Sequence, residues 1–267
     1  MAILTISREY GSGGREIGRM AAERLTYTYV DKERLYRELT GAGARWEKVA
    51  QELDEVCPTL WERHDWEYRG YVALVEATIM AYAAQDRVVL IGRGGANLLR
   101  QVPFCLRVRL LAPLKVRIDR IMAREGLDRT WAERLIRQVD GERACFIKAN
   151  YGVDWEAESL FDMTLNTASL PYEQVVDLIV AALAEKDRLA TPEACSRLQD
   201  LALAYQLKAR VATDPRVMVP TLEVKVEEGV FVVAGIVHTP KELRLIQEIT
   251  QEVVGSREVR FELSHRR

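Results

Sequence analysis

The chain lacks most of the features that would assign it to a specialised class. Its four cysteines, Cys57, Cys105, Cys145 and Cys195, are far apart and form no C-x-x-C pair. That spacing indicates neither a zinc knuckle nor a disulfide framework, and it suits a reducing, cytoplasmic setting. There is no excess of either charge: 38 Lys and Arg face 40 Asp and Glu, for a net charge of -2, with acids and bases interspersed. A nucleic-acid partner is therefore not expected, although a local basic cleft can still hold phosphates. No apolar run approaches the ~20 residues that a membrane-spanning helix needs. The opening MAILTISREY carries no basic leader, so neither a signal peptide nor a transmembrane segment is expected.

What is present is ample apolar material and one unusual stretch. Apolar residues make up 48% of 267 positions, enough for one large α/β domain or for two domains without covalent staples. The stretch Ile3 to Gly18, ILTISREYGSGGREIG, reads as a strand, a glycine-rich turn at 11–14 and the start of a helix carried by Ile17, Met20, Ala21 and Leu25. Such a turn directs consecutive backbone N–H groups into one concavity, and the helix behind it adds the positive end of its dipole. The spacing G-x-x-x-x-G-K-[ST] is only partly kept. If Gly13 is the last motif glycine, Gly14 stands where the lysine belongs; if Gly14 is, Arg15 replaces the lysine and Glu16 the magnesium-binding hydroxyl.

The rest of the first 185 residues alternates strand and helix. Strands are predicted at 28–30, 87–91, 104–111 and 160–165. Helices are predicted at 32–39, through most of 45–84 with a break at Pro58, after Pro113, and at 171–184. That order is the pattern of a parallel sheet with helices on both faces. Residues 114–150 are dense in bases, and a polar helix there gives way to a loop at Gly152, as in a helical lid. After a polar linker at 186–193 the pattern becomes helix, strand, strand, helix, strand over 194–267. This αββαβ order predicts a separate small α+β domain, giving domains of 1–185 and 194–267.

Five segments in sequence, ISREYGSGGREIG, YVDKERLYREL, IGRGGANLL, DGERACFIKANYGVDW and FDMTLNT, resemble the cytidylate kinase-like family of P-loop nucleoside monophosphate kinases. The segments EVKVEEGVFVVAGIVHTPKELRLIQEI and GSREVRFEL resemble a BON-type domain, a class associated with phospholipid or other ligands. The first resemblance implies transfer of a phosphoryl group from ATP, with Mg2+, to CMP, dCMP or a related small acceptor. The second leaves a lipid or a protein as the ligand of the C-terminal domain.

Phosphoryl transfer needs two phosphates held in line and their charge offset. Backbone amides of Gly11, Ser12, Gly13 and Gly14 would hold the donor phosphates, flanked by Arg8, with Arg15 standing in for the lysine. The resemblance assigns Asp31, Tyr36, Arg37 and Arg93 to the acceptor, Arg143 and Arg137 to the lid over the transferring group, and Asn166 and Thr167 to the donor base. Asp31 is also a natural helix cap, and Asp140 and Arg143 can form an intrahelical pair. Gly94 stands where the family has an aspartate, which bears on recognition of cytosine. No aspartate follows the strands at 88–91 or 105–111 as a magnesium ligand; Ser12, Asp31 and Glu16 are the candidates. A second reading is a catalytically weak nucleotide-binding sensor whose BON-like domain signals to a partner. Neither reading fixes the oligomeric state.

Overall fold

The computed structural model describes residues 2–40, 46, 48, 49, 57–59 and 61–265. By their contacts they divide into two units, Met1–Arg34 with Asp54–Pro58 and Asp86–Thr191, and Leu35–Leu53 with Thr59–Gln85 and Pro192–Arg267.

The first unit is built on a five-stranded sheet in the order β2-β3-β1-β4-β5, with every pair parallel. Its strands are β1 (Ile3–Arg8), β2 (Thr28–Val30), β3 (Val88–Ile91), β4 (Cys105–Leu111) and β5 (Met163–Asn166). β1 lies at the centre, and Ile3, Leu4 and Ile6 have no exposed surface. A strand covered on both faces reads as an apolar run rather than an alternation, as ILTI does. Helix α1 (Gly14–Leu25) lays Ile17, Ala21 and Ala22 on the sheet, in one cluster with Leu4, Val89, Val108 and Ile179.

Helix α2 begins at Lys32 and runs to Thr40, passing from the first unit into the second. Helix α3 (Trp66–Ala84) belongs to the second unit, and the short α4 (Gly95–Leu98) follows β3. α5 (Leu114–Glu125) starts after Pro113 and ends at left-handed Gly126. α6 (Arg129–Tyr151) is capped by Asp128, whose side chain accepts the Trp131 N–H at 2.9 Å, and stops at left-handed Gly152. α7 (Tyr172–Asp187) completes the unit.

Cys57 and Cys145 form a disulfide across 88 residues of sequence. This corrects the expectation that the cysteines stay unpaired. Tertiary structure, rather than local spacing, brings the two together.

In the second unit, α8 (Pro192–Ala212) packs on α3. Strands β6 (Glu223–Glu227), β7 (Val230–Val237) and β8 (Val259–His265) form a sheet in which β6 and β7 are antiparallel and β7 and β8 parallel. Between β7 and β8 runs α9 (Pro240–Val254), opened by a capping box of Thr239 and Glu242. This is the predicted αββαβ order. Leu207, Phe231, Val233 and Ile246 form its core, all fully buried. No helix among the described residues is long and apolar enough to cross a membrane.

Candidate active site

In the first unit the strand order reverses at β1, which has β3 on one side and β4 on the other. Open parallel sheets bind ligands at the carboxyl ends of such strands. A cleft of about 530 Å3 opens there, walled by the β1–α1 loop, the ends of β1 and β3, the start of α2 and one face of α6.

The loop owes its shape to Gly11 (φ 83°) and Gly13 (φ 86°), both in the left-handed region. A Cβ on Gly13 would also collide with the Tyr172 ring. Gly13 is the N-cap of α1 and supplies no side chain, so the first-turn amides receive no side-chain cap. Gly11, Gly13, Gly14, Arg8 and Arg15 all line the cleft. Ser12 does not line it: it is fully buried, and its hydroxyl donates to the Glu9 carbonyl at 2.8 Å.

Arg93 and Arg143 reach this cleft from elements 50 residues apart. Arg93 lies between Gly92 and Gly94, and all three have positive φ, 73°, 56° and 78°. A non-glycine residue in that region costs about 1–3 kcal/mol, which the fold bears here at a buried arginine. Arg143 donates from Nη1 to the Arg8 carbonyl at 3.1 Å, and its guanidinium lies 5.6 Å from the Tyr10 ring centre. Arg143 is 3.6 Å from Asp140, but Asp140 has closer partners. It accepts the Tyr10 N–H at 2.8 Å and Arg117 Nη1 at 2.5 Å, tying α6 to the glycine loop.

The remaining sequence-predicted residues have varied surroundings. Asp31 lines the cleft and caps α2, accepting the Arg34 N–H at 3.1 Å. Burial pushes its carboxyl above the usual range, and the Glu33 carboxyl adds to this against the pull of the Arg34 N–H. Arg15 is half exposed and donates to Glu33 at 2.9 Å. Arg137 lies on the solvent side of α6 in an i,i+4 pair with Glu133, away from the cleft lining. Asn166 is exposed and accepts the Ala168 N–H. Thr167 is buried and donates to the Ser12 carbonyl at 2.6 Å. Tyr36 and Arg37 fall on the part of α2 that belongs to the second unit.

Two arginines of α5 that the sequence analysis does not single out from the basic 114–150 stretch are supports of the loop. Arg117 is buried, donating to the Ala112 carbonyl and the Tyr10 carbonyl, with Glu9 at 3.4 Å and Asp140 at 2.5 Å. Arg120 donates to both oxygens of Thr167 and, at 3.4 Å, to the Gly11 carbonyl. The signal was their i,i+3 spacing, which puts them on one helix face, continued by Arg124 of the cleft lining.

For a nucleotide phosphate the donor set fits: uncapped helix amides, left-handed glycines and the guanidinium groups of Arg93 and Arg143. For Mg2+ the fit is narrower. The Ser12 hydroxyl is engaged inside the loop, whereas the carboxylates of Glu16 and Asp31 face the cleft. Among the described residues no group of three or more His, Cys, Asp or Glu side chains is arranged to hold a metal.

A sequence model of the cytidylate kinase-like family matches residues 3–169, well over half of the chain. The chain belongs to that family. A BON-domain model matches residues 199–266. Cytidylate kinase of Methanopyrus kandleri is 25% identical over 185 residues, covering 68% of this chain and 92% of that protein. A uronate isomerase of Corynebacterium glutamicum is 35% identical over 104 residues, but the match spans 39% of this chain and only 20% of that enzyme. An uncharacterised protein from Eubacterium ventriosum superposes with a TM-score of 0.56 at 19% identity, covering 69% of this chain and 99% of that one, a likeness of fold. Membership of the family supports phosphoryl transfer as the general chemistry of the N-terminal region, and nucleotide binding as its requirement.

Proposed function

We propose that the protein transfers the γ-phosphoryl group of ATP to CMP, dCMP or a related small acceptor. The observation that carries this reading is the convergence of Arg93 and Arg143 on the cleft walled by the glycine loop. A site that only held one nucleotide would not need both arginines beside its phosphate loop. In this reading the amides of Gly11 to Gly14, Arg8 and Arg15 bind the donor phosphates, Arg15 leaving Glu33 to do so. Arg93 holds the acceptor with Asp31. Arg143 stabilises charge on the transferring group, because its guanidinium is buried and already oriented by the Arg8 carbonyl. Arg120, bonded to Thr167, orients the loop. Glu16 or Asp31 would hold Mg2+, which would offset phosphate charge when bound.

One observation favours the sensor reading as the alternative. The loop has no lysine, and its substitute Arg15 is engaged by Glu33 at 2.9 Å. ADP formation with ATP and Mg2+, measured against CMP, dCMP, UMP, AMP and no acceptor, separates the two. Turnover stimulated by CMP or dCMP is the result expected of the kinase. ATP binding with no stimulation by any acceptor would overturn that assignment in favour of the sensor.

A further inference from the structure

The second unit holds a cavity of about 290 Å3 that has no part in the phosphate site. That volume is at the lower end of small-molecule sites, roughly 300–1,000 Å3. Its walls are Ala73 of α3, Val211 of α8, and Val217, Val219 and Leu222 of the segment leading into β6. Ala73, Val211, Val217 and Leu222 are themselves buried, whereas His64, Asp65, Met218 and Pro220 of its lining are exposed, so the cavity has an apolar floor and opens to solvent.

Three charged side chains border it, and two are already engaged. Lys208 donates to Glu76 at 2.9 Å. Asp65 caps α3, accepting the N–H groups of Glu67 and Tyr68 on one oxygen at 2.8 and 3.2 Å. The third, Arg69, makes no ion pair or side-chain hydrogen bond among the described residues. It is half-buried, and burial alone lowers its pKa, with no carboxylate offsetting the loss of water. A guanidinium in that position gains most from an anion that brings its own apolar body into the cavity.

We propose that this cavity binds a small amphipathic anion, an unbranched or compact apolar molecule ending in one carboxylate, with the carboxylate on Arg69 and the apolar part against Val211, Val217 and Leu222. One wall comes from α3, with Arg69 and Ala73, so the site spans more than the 199–266 region that matches a BON domain. It is independent of the phosphotransfer reading and stands or falls without it.

The test is calorimetric titration of the full-length protein with octanoate, with octanol as the neutral counterpart. Saturable one-to-one binding of octanoate is expected, with affinity about tenfold or more lower for octanol and for Arg69→Gln, the loss of one charge-assisted contact. Val219→Trp, which fills the cavity from its less buried wall, should abolish binding while the thermal unfolding midpoint stays near that of the unsubstituted protein. Absence of saturation by octanoate would overturn the proposal, as would equal affinity for octanol and for Arg69→Gln. So would binding to phosphatidylglycerol vesicles without binding of the free carboxylate, since that would point to a membrane surface instead.

Discussion

Asp162 of the first unit ties the stability of the fold to pH. Burial raises its pKa, but the Arg107 side chain, the Arg107 N–H and Lys186, at 2.8 to 3.2 Å, together hold it below the usual carboxylate value. A carboxylate with a depressed folded pKa stabilises the fold above its unfolded pKa of about 3.9 and loses that contribution as pH falls through the folded value. Asp162→Asn is therefore expected to be less stable than the unsubstituted protein near pH 7, with the gap closing below about pH 4. Urea unfolding at both ends of this range measures it, and a gap independent of pH would contradict the assignment. The same residue explains one boundary that sequence missed. The strand predicted at 160–165 is β5, Met163–Asn166, because 158–160 turns as a 3-10 helix and Asp162 bonds sideways to Arg107.

At the scale of elements, α3 and α8 are joined by a partly buried ion pair. Glu76 is 5% exposed and has Lys208 at 2.9 Å, and Tyr205 beside them is pushed up to about 12, chiefly by burial and then by Glu76. Lys208→Met leaves a buried carboxylate without its cation, and a loss of roughly 1–3 kcal/mol is expected. Replacing both, Glu76→Met with Lys208→Met, should recover most of that loss, because a well-packed apolar pair often equals a buried ion pair. Denaturant midpoints of the two variants check this, and a double variant no more stable than the single would contradict it. Two helix ends were legible in sequence because their signals are local: Pro113 and Gly152 act where predicted, whereas the Gly126 stop and the Thr239–Glu242 capping box were not singled out. The predicted linker at 186–193 narrows, since α7 reaches Asp187 and α8 starts at Pro192. The i,i+3 spacing of Arg117 and Arg120 marks a shared helix face but not their role as loop supports. Their partners Glu9, Tyr10 and Thr167 lie 47 to 108 positions away, beyond any periodic pattern.

For the molecule as a whole, the order of strands and helices gave the parallel sheet and the αββαβ unit, because each element has its own hydrophobic period. The Cys57–Cys145 bridge escaped that reading, since pairing across 88 residues leaves no local mark. Its existence also removes cysteine spacing as an argument for a reducing compartment. Cys105 is fully buried, with its thiol pushed up to about 12 by that burial, and contributes packing rather than reactivity. The candidate cleft is legible in part. The glycine loop, Arg93 and Arg143 line one cleft, whereas Arg137 points to solvent, and Ser12 and Thr167 bond inside the loop.

The most direct test of the kinase account is CMP- or dCMP-dependent ADP formation by Arg143→Ala beside the unsubstituted protein. Arg143 reaches the cleft from α6 and is held there by the Arg8 carbonyl. Removing one preorganised group of this kind costs about 10²–10³ in turnover. Loss of that order, with ATP binding largely retained, is the result predicted. Acceptor-dependent turnover that is unchanged in Arg143→Ala would contradict the account.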